Sequence, residues 1–136
     1  MNYYNEIKTE LINNEITRRV KEYSKNRSDL NTYYNVGKLL SEAGKHYGEG
    51  IIKEYSKRLT NELGKGYSIS NLKNMRNFYV FFSKSQTMSG QLTWSHYDEL
   101  LKLTDENIIN YYIKISEEEN LSVRELRQKI KNILSN

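Results

Sequence analysis

The segment 64–80, GKGYSISNLKNMRNFYV, contains residue types that bind phosphate groups and read bases. Two glycines flank Lys65, Ser68 follows, and lysine, arginine and asparagine recur over the next nine residues. Lysine neutralises phosphate, and asparagine can pair with the edge of adenine. This pattern predicts nucleic-acid recognition by a turn and a helix. The sequence leaves open the alternative that the same turn and helix only fill a core.

Helix-like periodicity divides the segment after the turn into two faces. At about 100° per residue, apolar side chains fall on one face and polar side chains on the other, with Arg76 near the border. Arg124 and Arg127, near the C-terminus, form a second basic face, although there they could simply complement the dipole of their own helix. The predicted nucleic-acid-binding residues are Lys65, Ser68, Ser70, Lys73, Asn74, Arg76, Asn77, Arg124 and Arg127.

The positive charge of the chain is concentrated around this segment. The net charge is +4, and residues 51–82 carry six cations against two carboxylates, whereas acids and bases balance over the rest. A local excess of cations is what phosphate binding requires. A solvated lysine face would give the same pattern.

The end of the predicted helix is apolar on nearly every side, with FYVFF at 78–82. A helix of this kind is buried or meets a partner. We expect the second half of the chain to pack there. The alternative is that Phe78 and Phe81 form an interface with another protein or with a second copy of the chain.

Composition argues against several other functions. The chain has no cysteine, only two histidines, and no run of eighteen apolar residues or signal-peptide pattern, so we expect no disulfide, metal site, cofactor or membrane span, and a cytoplasmic location. Ser95 and His96 are adjacent, but neighbours on a helix point about 100° apart and do not make a nucleophile–base pair. The sequence predicts a protein that is not an enzyme.

Apolar stripes at helical spacing predict an all-α chain of about seven helices. There is no proline to interrupt them. A helix-turn-helix or winged-helix-like unit is predicted at 51–82. We expect a single domain over 1–136, with two possible lobes at 1–82 and 92–136 and a polar linker at 83–91. Helices are predicted at 3–26, 31–45, 51–63 and 69–82, and after each of the capping residues Thr93, Asp105 and Ser122.

Two blocks of the sequence resemble a known family. YYNVGKLLSE through YSKRLTNELGKGYSISNLKNMRNFY, and QLTWSHYDELLKL through NLSVRELRQKI, resemble the N-terminal domain of the YhcG family of bacterial proteins over about residues 30–134. The resemblance implies a helical, winged-helix-like DNA-binding module. In full-length members it precedes a PD-(D/E)XK nuclease domain, often near restriction or other defence genes. No acidic cluster with a following carboxylate-x-lysine is present here, so nuclease activity is not expected.

Two functions from different classes follow from these patterns. The first is a non-catalytic DNA-binding module that acts through residues 64–77, with DNA more favoured than RNA. The second is a stand-alone inhibitor or adaptor from a mobile element that binds a host nuclease complex, as an anti-CRISPR protein does. An inactive remnant is a third possibility. The first 29 residues lie outside the clearest resemblance, and they are a candidate homodimerisation helix.

Overall fold

The structure, a computed structural model, describes residues 2–20, 25–84 and 91–134, which form seven α-helices and no strand. The all-α prediction is confirmed. The chain divides into two compact units, Met1–Gln86 and Thr87–Asn136, which are described separately below. The helices are α1 (Tyr3–Val20), α2 (Lys25–Tyr47), α3 (Gly50–Leu63), α4 (Ile69–Phe82), α5 (Trp94–Leu100), α6 (Glu106–Glu118) and α7 (Val123–Leu134).

The first unit is built around α2. This helix packs mainly against α4 and α1, while α3 contacts both α2 and α4. Its apolar positions recur at helical spacing, so one stripe is buried along its length, as the sequence predicts. Residues buried in the core of this unit include Ile7, Leu11, Val36, Leu40, Ala43, Ile52, Leu59, Leu72, Met75 and Phe78.

A glycine allows α2 and α4 to approach closely. A Cβ atom at Gly37 would collide with the carbonyl oxygen of Met75 and lie 2.9 Å from the Cβ of Tyr79. These are backbone atoms of Met75 and the Cβ atom of Tyr79. A rotamer change moves none of them, so it cannot relieve the overlap. The ring of Tyr34, one turn before Gly37, packs against Tyr79 at a centroid distance of 5.1 Å. The two helices therefore meet backbone to backbone at this point.

The predicted start of α2 was wrong. α2 begins at Lys25 and not near residue 31, because NRSD, which the sequence suggests as a break, is recruited into its first turns. Buried Asn14 on α1 donates to Asp29 at 2.9 Å and accepts from the Ser28 hydroxyl at 2.5 Å. These tertiary hydrogen bonds outweigh the weak helix propensity of Ser and Asp.

The predicted apolar stripe of α1 is only partly buried. Ile7 and Leu11 lie in the core, but Ile12 and Ile16 are exposed. Ile108 on α6 is exposed too. Periodicity predicts that a helix has an apolar face, but not whether a neighbour covers the whole of it.

The second unit is arranged around α5, which contacts both α6 and α7. His96 is buried and links two elements of this unit. Its Nδ1 accepts from the backbone N–H of Thr93 at 3.1 Å, so the proton is on Nε2, which donates to the carbonyl of Leu121 at 2.8 Å. His96 therefore completes a capping box at the N-terminus of α5.

Polar caps fix the remaining helix starts of the second unit. Asp105 accepts from the backbone N–H of Asn107 at 2.8 Å, and Ser122 and Glu125 form the predicted reciprocal capping box. The predicted linker at 83–91 falls largely on residues 85–90, outside the described residues. Among the helices that are described, none combines the length and the apolar character needed to cross a membrane.

We predict that Gly37→Ala destabilises the first unit by about 1–3 kcal/mol or more, because the new methyl group forces two backbones apart. Thermal unfolding followed by circular dichroism measures the loss. Gly44→Ala is the matched control: it lies on the same helix with nothing within 4 Å of the added Cβ, and it should stabilise by up to about 1 kcal/mol through helix propensity. Equal melting temperatures for the two variants would contradict the close approach.

Candidate nucleic-acid interface

The turn between α3 and α4 is held in one conformation by hydrogen bonds. Gly64 and Gly66 have φ angles of 99° and 109°, a region that side chains with a Cβ rarely adopt. The buried hydroxyl of Ser56 donates to the carbonyl of Tyr67 at 2.7 Å, and the side-chain amide of Asn71 donates to the carbonyl of Gly66 at 3.1 Å. Side chains from both α3 and α4 therefore hold the backbone of the turn at two neighbouring residues.

Ser68 caps α4, as the sequence predicts. Its Oγ accepts from the backbone N–H of Asn71 at 3.1 Å. Since the hydroxyl hydrogen is not used in that bond, Ser68 can still donate to an incoming phosphate. Its side chain is exposed.

The polar face of α4 is open only over its first two turns. Ser70, Lys73 and Asn77 are exposed, and Asn74 is half-buried. Phe81 lies about 20° from Ser70 on the helical wheel, yet it is buried. On this face, therefore, the N-terminal half of α4 is exposed to solvent, whereas the C-terminal end is buried at Phe81.

Arg76 is engaged inside the unit. Its guanidinium forms an ion pair with the carboxylate of Glu49, the residue that precedes α3. This pair ties α4 to the start of α3, so Arg76 contributes to the position of the helices. To contact a phosphate it would first have to leave Glu49.

Two lysines outside the predicted set of nucleic-acid-binding residues lie beside the start of α4. Lys53 and Lys57 are one turn apart on the exposed side of α3, and they line a shallow groove of about 510 Å³ together with Ile69 of α4. Lys73 is exposed one helical turn after Ile69 on α4. We name Lys53, Lys57 and Lys73 the lysine rim. Only their place in the 51–82 charge excess could have indicated the two α3 lysines.

No member of the lysine rim forms an ion pair with a carboxylate among the described residues. By contrast, Lys8 is paired with Glu62 and Arg76 with Glu49. Cations without a protein partner keep their full attraction for an external anion. The rim is therefore the part of this unit best suited to phosphate.

Lys65 lies at a different groove. It is exposed in the turn and lines a depression of about 460 Å³ with Ile12, Ile16 and Tyr67. The sequence predicts one contact surface for the turn and the helix. In the structure, however, Lys65 lies at a groove that Lys73 does not line. Lys65 remains available on the α1 side of the turn.

Arg124 and Arg127 belong to α7 of the second unit. Arg127 forms an ion pair with Glu99 of α5, with its Nε 3.0 Å and its terminal nitrogen 2.9 Å from one carboxylate oxygen. Lys102 reaches the same oxygen at 3.3 Å. Arg124 is exposed and has no ion pair among the described residues. Of the two arginines predicted to form the basic face of α7, Arg127 is therefore already paired within the second unit and Arg124 is not.

The two phenylalanines predicted as a partner interface, Phe78 and Phe81, are both buried. Phe82 packs edge-on against each of them at centroid distances of 5.0 and 4.9 Å. FYVFF therefore contributes mainly to packing, with Val80 as its exposed member.

The adjacent Ser95 and His96 are not arranged as a nucleophile–base pair. His96 uses both ring nitrogens in structural hydrogen bonds, so it is not placed to activate Ser95. Over 2–20, 25–84 and 91–134, no group of three or more metal-ligating side chains comes together.

We predict that the second unit loses stability in acid because protonation of Glu99 removes its ion pairs with Arg127 and Lys102. Burial alone raises the pKa of Glu99, but hydrogen bonds from Arg127 and Lys102 outweigh burial and leave the pKa below its ordinary value. The stabilisation is present above the pKa of the unfolded chain and is lost as pH falls towards the folded pKa. Glu99→Gln should therefore lower the free energy of unfolding at neutral pH and have little effect near pH 3.

Urea denaturation followed by the fluorescence of Trp94, the only tryptophan in the chain, measures this difference in the second unit. Glu117→Gln is the control, since Glu117 has no ion pair among the described residues. A constant gap between Glu99→Gln and the parent across the pH range would be evidence against the ion pair.

Comparison with known proteins identifies the family of the chain. The sequence model of the DUF1016 N-terminal domain matches residues 6–135. The chain is 41% identical over 71 residues to the Escherichia coli (strain K12) protein named "Putative nuclease YhcG", a match that covers 46% of this chain and 19% of that protein. The matched region therefore corresponds to about a fifth of that relative. No solved structure matches the chain. The chain belongs to the DUF1016 N-terminal domain family.

Proposed function

We propose that this chain is a non-catalytic DNA-binding module. Its contact surface is the exposed face of α4, the turn that precedes it, and the lysine rim. α3, the turn and α4 act as a helix-turn-helix-like unit in which the N-terminal half of α4 faces the bases and the lysines hold the phosphates. Ser70 and Asn77 are the candidates for base contacts.

The observation that carries this proposal is a set of exposed lysines on α3 and α4, Lys53, Lys57 and Lys73, none of which forms an ion pair with a carboxylate among the described residues. An unpaired lysine keeps its counterions until it meets another anion, so release of those counterions favours DNA binding. Ser68 and Asn77, exposed on the same segment, add neutral hydrogen-bond donors for phosphate or base edges.

The family assignment supports the same ligand class. The Escherichia coli relative carries the word nuclease in its name, and a nuclease needs a means of holding nucleic acid. We propose that the shared N-terminal domain supplies that means in this chain. The other function considered, a protein-binding inhibitor, has less support because the side chains predicted as its interface, Phe78 and Phe81, are buried.

We predict that the triple variant Lys53→Ala, Lys57→Ala and Lys73→Ala weakens binding to random duplex DNA about tenfold or more at moderate salt. The slope of log Kobs against log salt should become shallower by about 2 to 3, because each phosphate contact contributes roughly 0.9. Fluorescence anisotropy at several salt concentrations measures both quantities.

The matched control removes three lysines of the second unit that are paired with carboxylates: Lys102, Lys114 and Lys129. The control has the same net charge as the triple variant, so it separates the effect of position from that of total charge. If both variants lose affinity equally, binding depends on net charge alone and the proposed surface is rejected. If the parent protein does not bind DNA at all, the proposed function is rejected.

A further inference from the structure

An aromatic groove lies on the other side of α3 from the lysine rim. Its volume is about 450 Å³, within the range of roughly 300–1,000 Å³ typical of small-ligand sites. Four tyrosines, one arginine and one glutamate contribute to its wall: Tyr3, Tyr4, Tyr47, Tyr55, Arg58 and Glu54. Such a concentration of rings suits a flat, aromatic ligand.

Tyr47 is the ring of this groove that remains accessible. It is 55% exposed at the end of α2, whereas Tyr3, Tyr4 and Tyr55 are buried. His46 and Tyr3 hold it by edge-on contacts, with centroid distances of 4.9 and 6.3 Å. The Tyr47 ring thus has aromatic neighbours at 4.9 and 6.3 Å while more than half of its surface faces solvent, an exposure that stacking on a base requires.

Charged groups at the groove match the edges of a nucleotide. Arg58 is exposed, and its guanidinium lies 3.7 Å from the centroid of the Tyr4 ring, so it offers a fixed cation for stacking or for a phosphate. Glu54 is exposed and accepts hydrogen bonds, which suits the exocyclic amino group of a base.

Glu54 joins this groove to the lysine rim. It lines both the aromatic groove and the groove of Lys53 and Lys57, so a strand whose phosphates lie on these lysines runs past the mouth of the aromatic groove. A base inside a duplex has both faces covered by its neighbours. Only an unpaired base can place a face against Tyr47.

We propose that the aromatic groove binds one unpaired nucleobase, stacked on Tyr47, of a DNA strand held at Lys53 and Lys57. This inference rests on the proposed function and specifies its substrate class as DNA with a single-stranded segment. The same stacking chemistry exists in RNA, and the experiment includes an arm that distinguishes the two.

The test compares the anisotropy of a short labelled single strand, a blunt duplex of the same sequence and the corresponding RNA strand. Tyr47→Ala should weaken binding to the DNA single strand about tenfold and leave duplex binding unchanged, and Tyr47→Phe should bind like the parent. Tyr111→Ala is the matched control, since Tyr111 is 56% exposed in the second unit, and it should have no effect. A fluorescent adenine analogue in the strand should be quenched by the parent protein and not by Tyr47→Ala.

The outcomes separate the two proposals. If Tyr47→Ala binds every strand like the parent while the lysine-rim variant loses affinity, the DNA-binding function stands and the base site is overturned. Equal losses on duplex and single strand, or a loss with Tyr47→Phe as large as with Tyr47→Ala, also overturn base stacking. A loss confined to RNA overturns the assignment to DNA. If no strand binds the parent protein, both proposals fail together.

Discussion

The contact of α2 with α4 at Gly37 is the constraint on which the first unit depends. Because no Cβ stands between the two backbones, α4 lies close enough to α2 for Leu72, Met75 and Phe78 to enter the core. Because the backbone of Met75 faces Gly37 and these three side chains point into the core, the rotation of α4 about its own axis is set. This rotation decides which side chains of α4 are exposed to solvent. The exposure of Ser70, Lys73 and Asn77 is thus a consequence of how α4 is seated on α2.

A second consequence concerns α3. Arg76, carried on α4, pairs with Glu49 at the start of α3, and Ser56 of α3 binds the backbone of the turn at Tyr67. These two contacts join α3 to the turn and to the middle of α4. They place the groove of Lys53 and Lys57 against Ile69 at the start of α4, one helical turn before the exposed Lys73.

The electrostatics of the chain divide cations by role. Arginines at helix contacts are paired with carboxylates, as in Arg76 with Glu49 and Arg127 with Glu99, where the planar guanidinium forms directional hydrogen bonds. The lysine rim has no such partner among the described residues. Net charge is therefore a poor guide to a binding surface here, and the pairing of each cation is the better one.

Much of the helical structure could be predicted because its causes are local. The Ser68, Thr93 and Asp105 caps and the Ser122–Glu125 box depend on residues within one turn of each other, and so does helical periodicity. The start of α2 at Lys25 could not be found in this way. It depends on hydrogen bonds from Asn14, on another helix.

The candidate site shows the same division. The sequence by itself determined that a glycine turn leads into a helix with a polar face at 70, 73 and 77, because spacing and turn chemistry are local properties. The tertiary structure alone decided that Arg76 is paired, that Lys65 lies at a separate groove and that Lys53 and Lys57 share a groove with Ile69 of α4. The physical reason is that pairing and proximity depend on distances between helices, and a single sequence carries periodicity but not those distances.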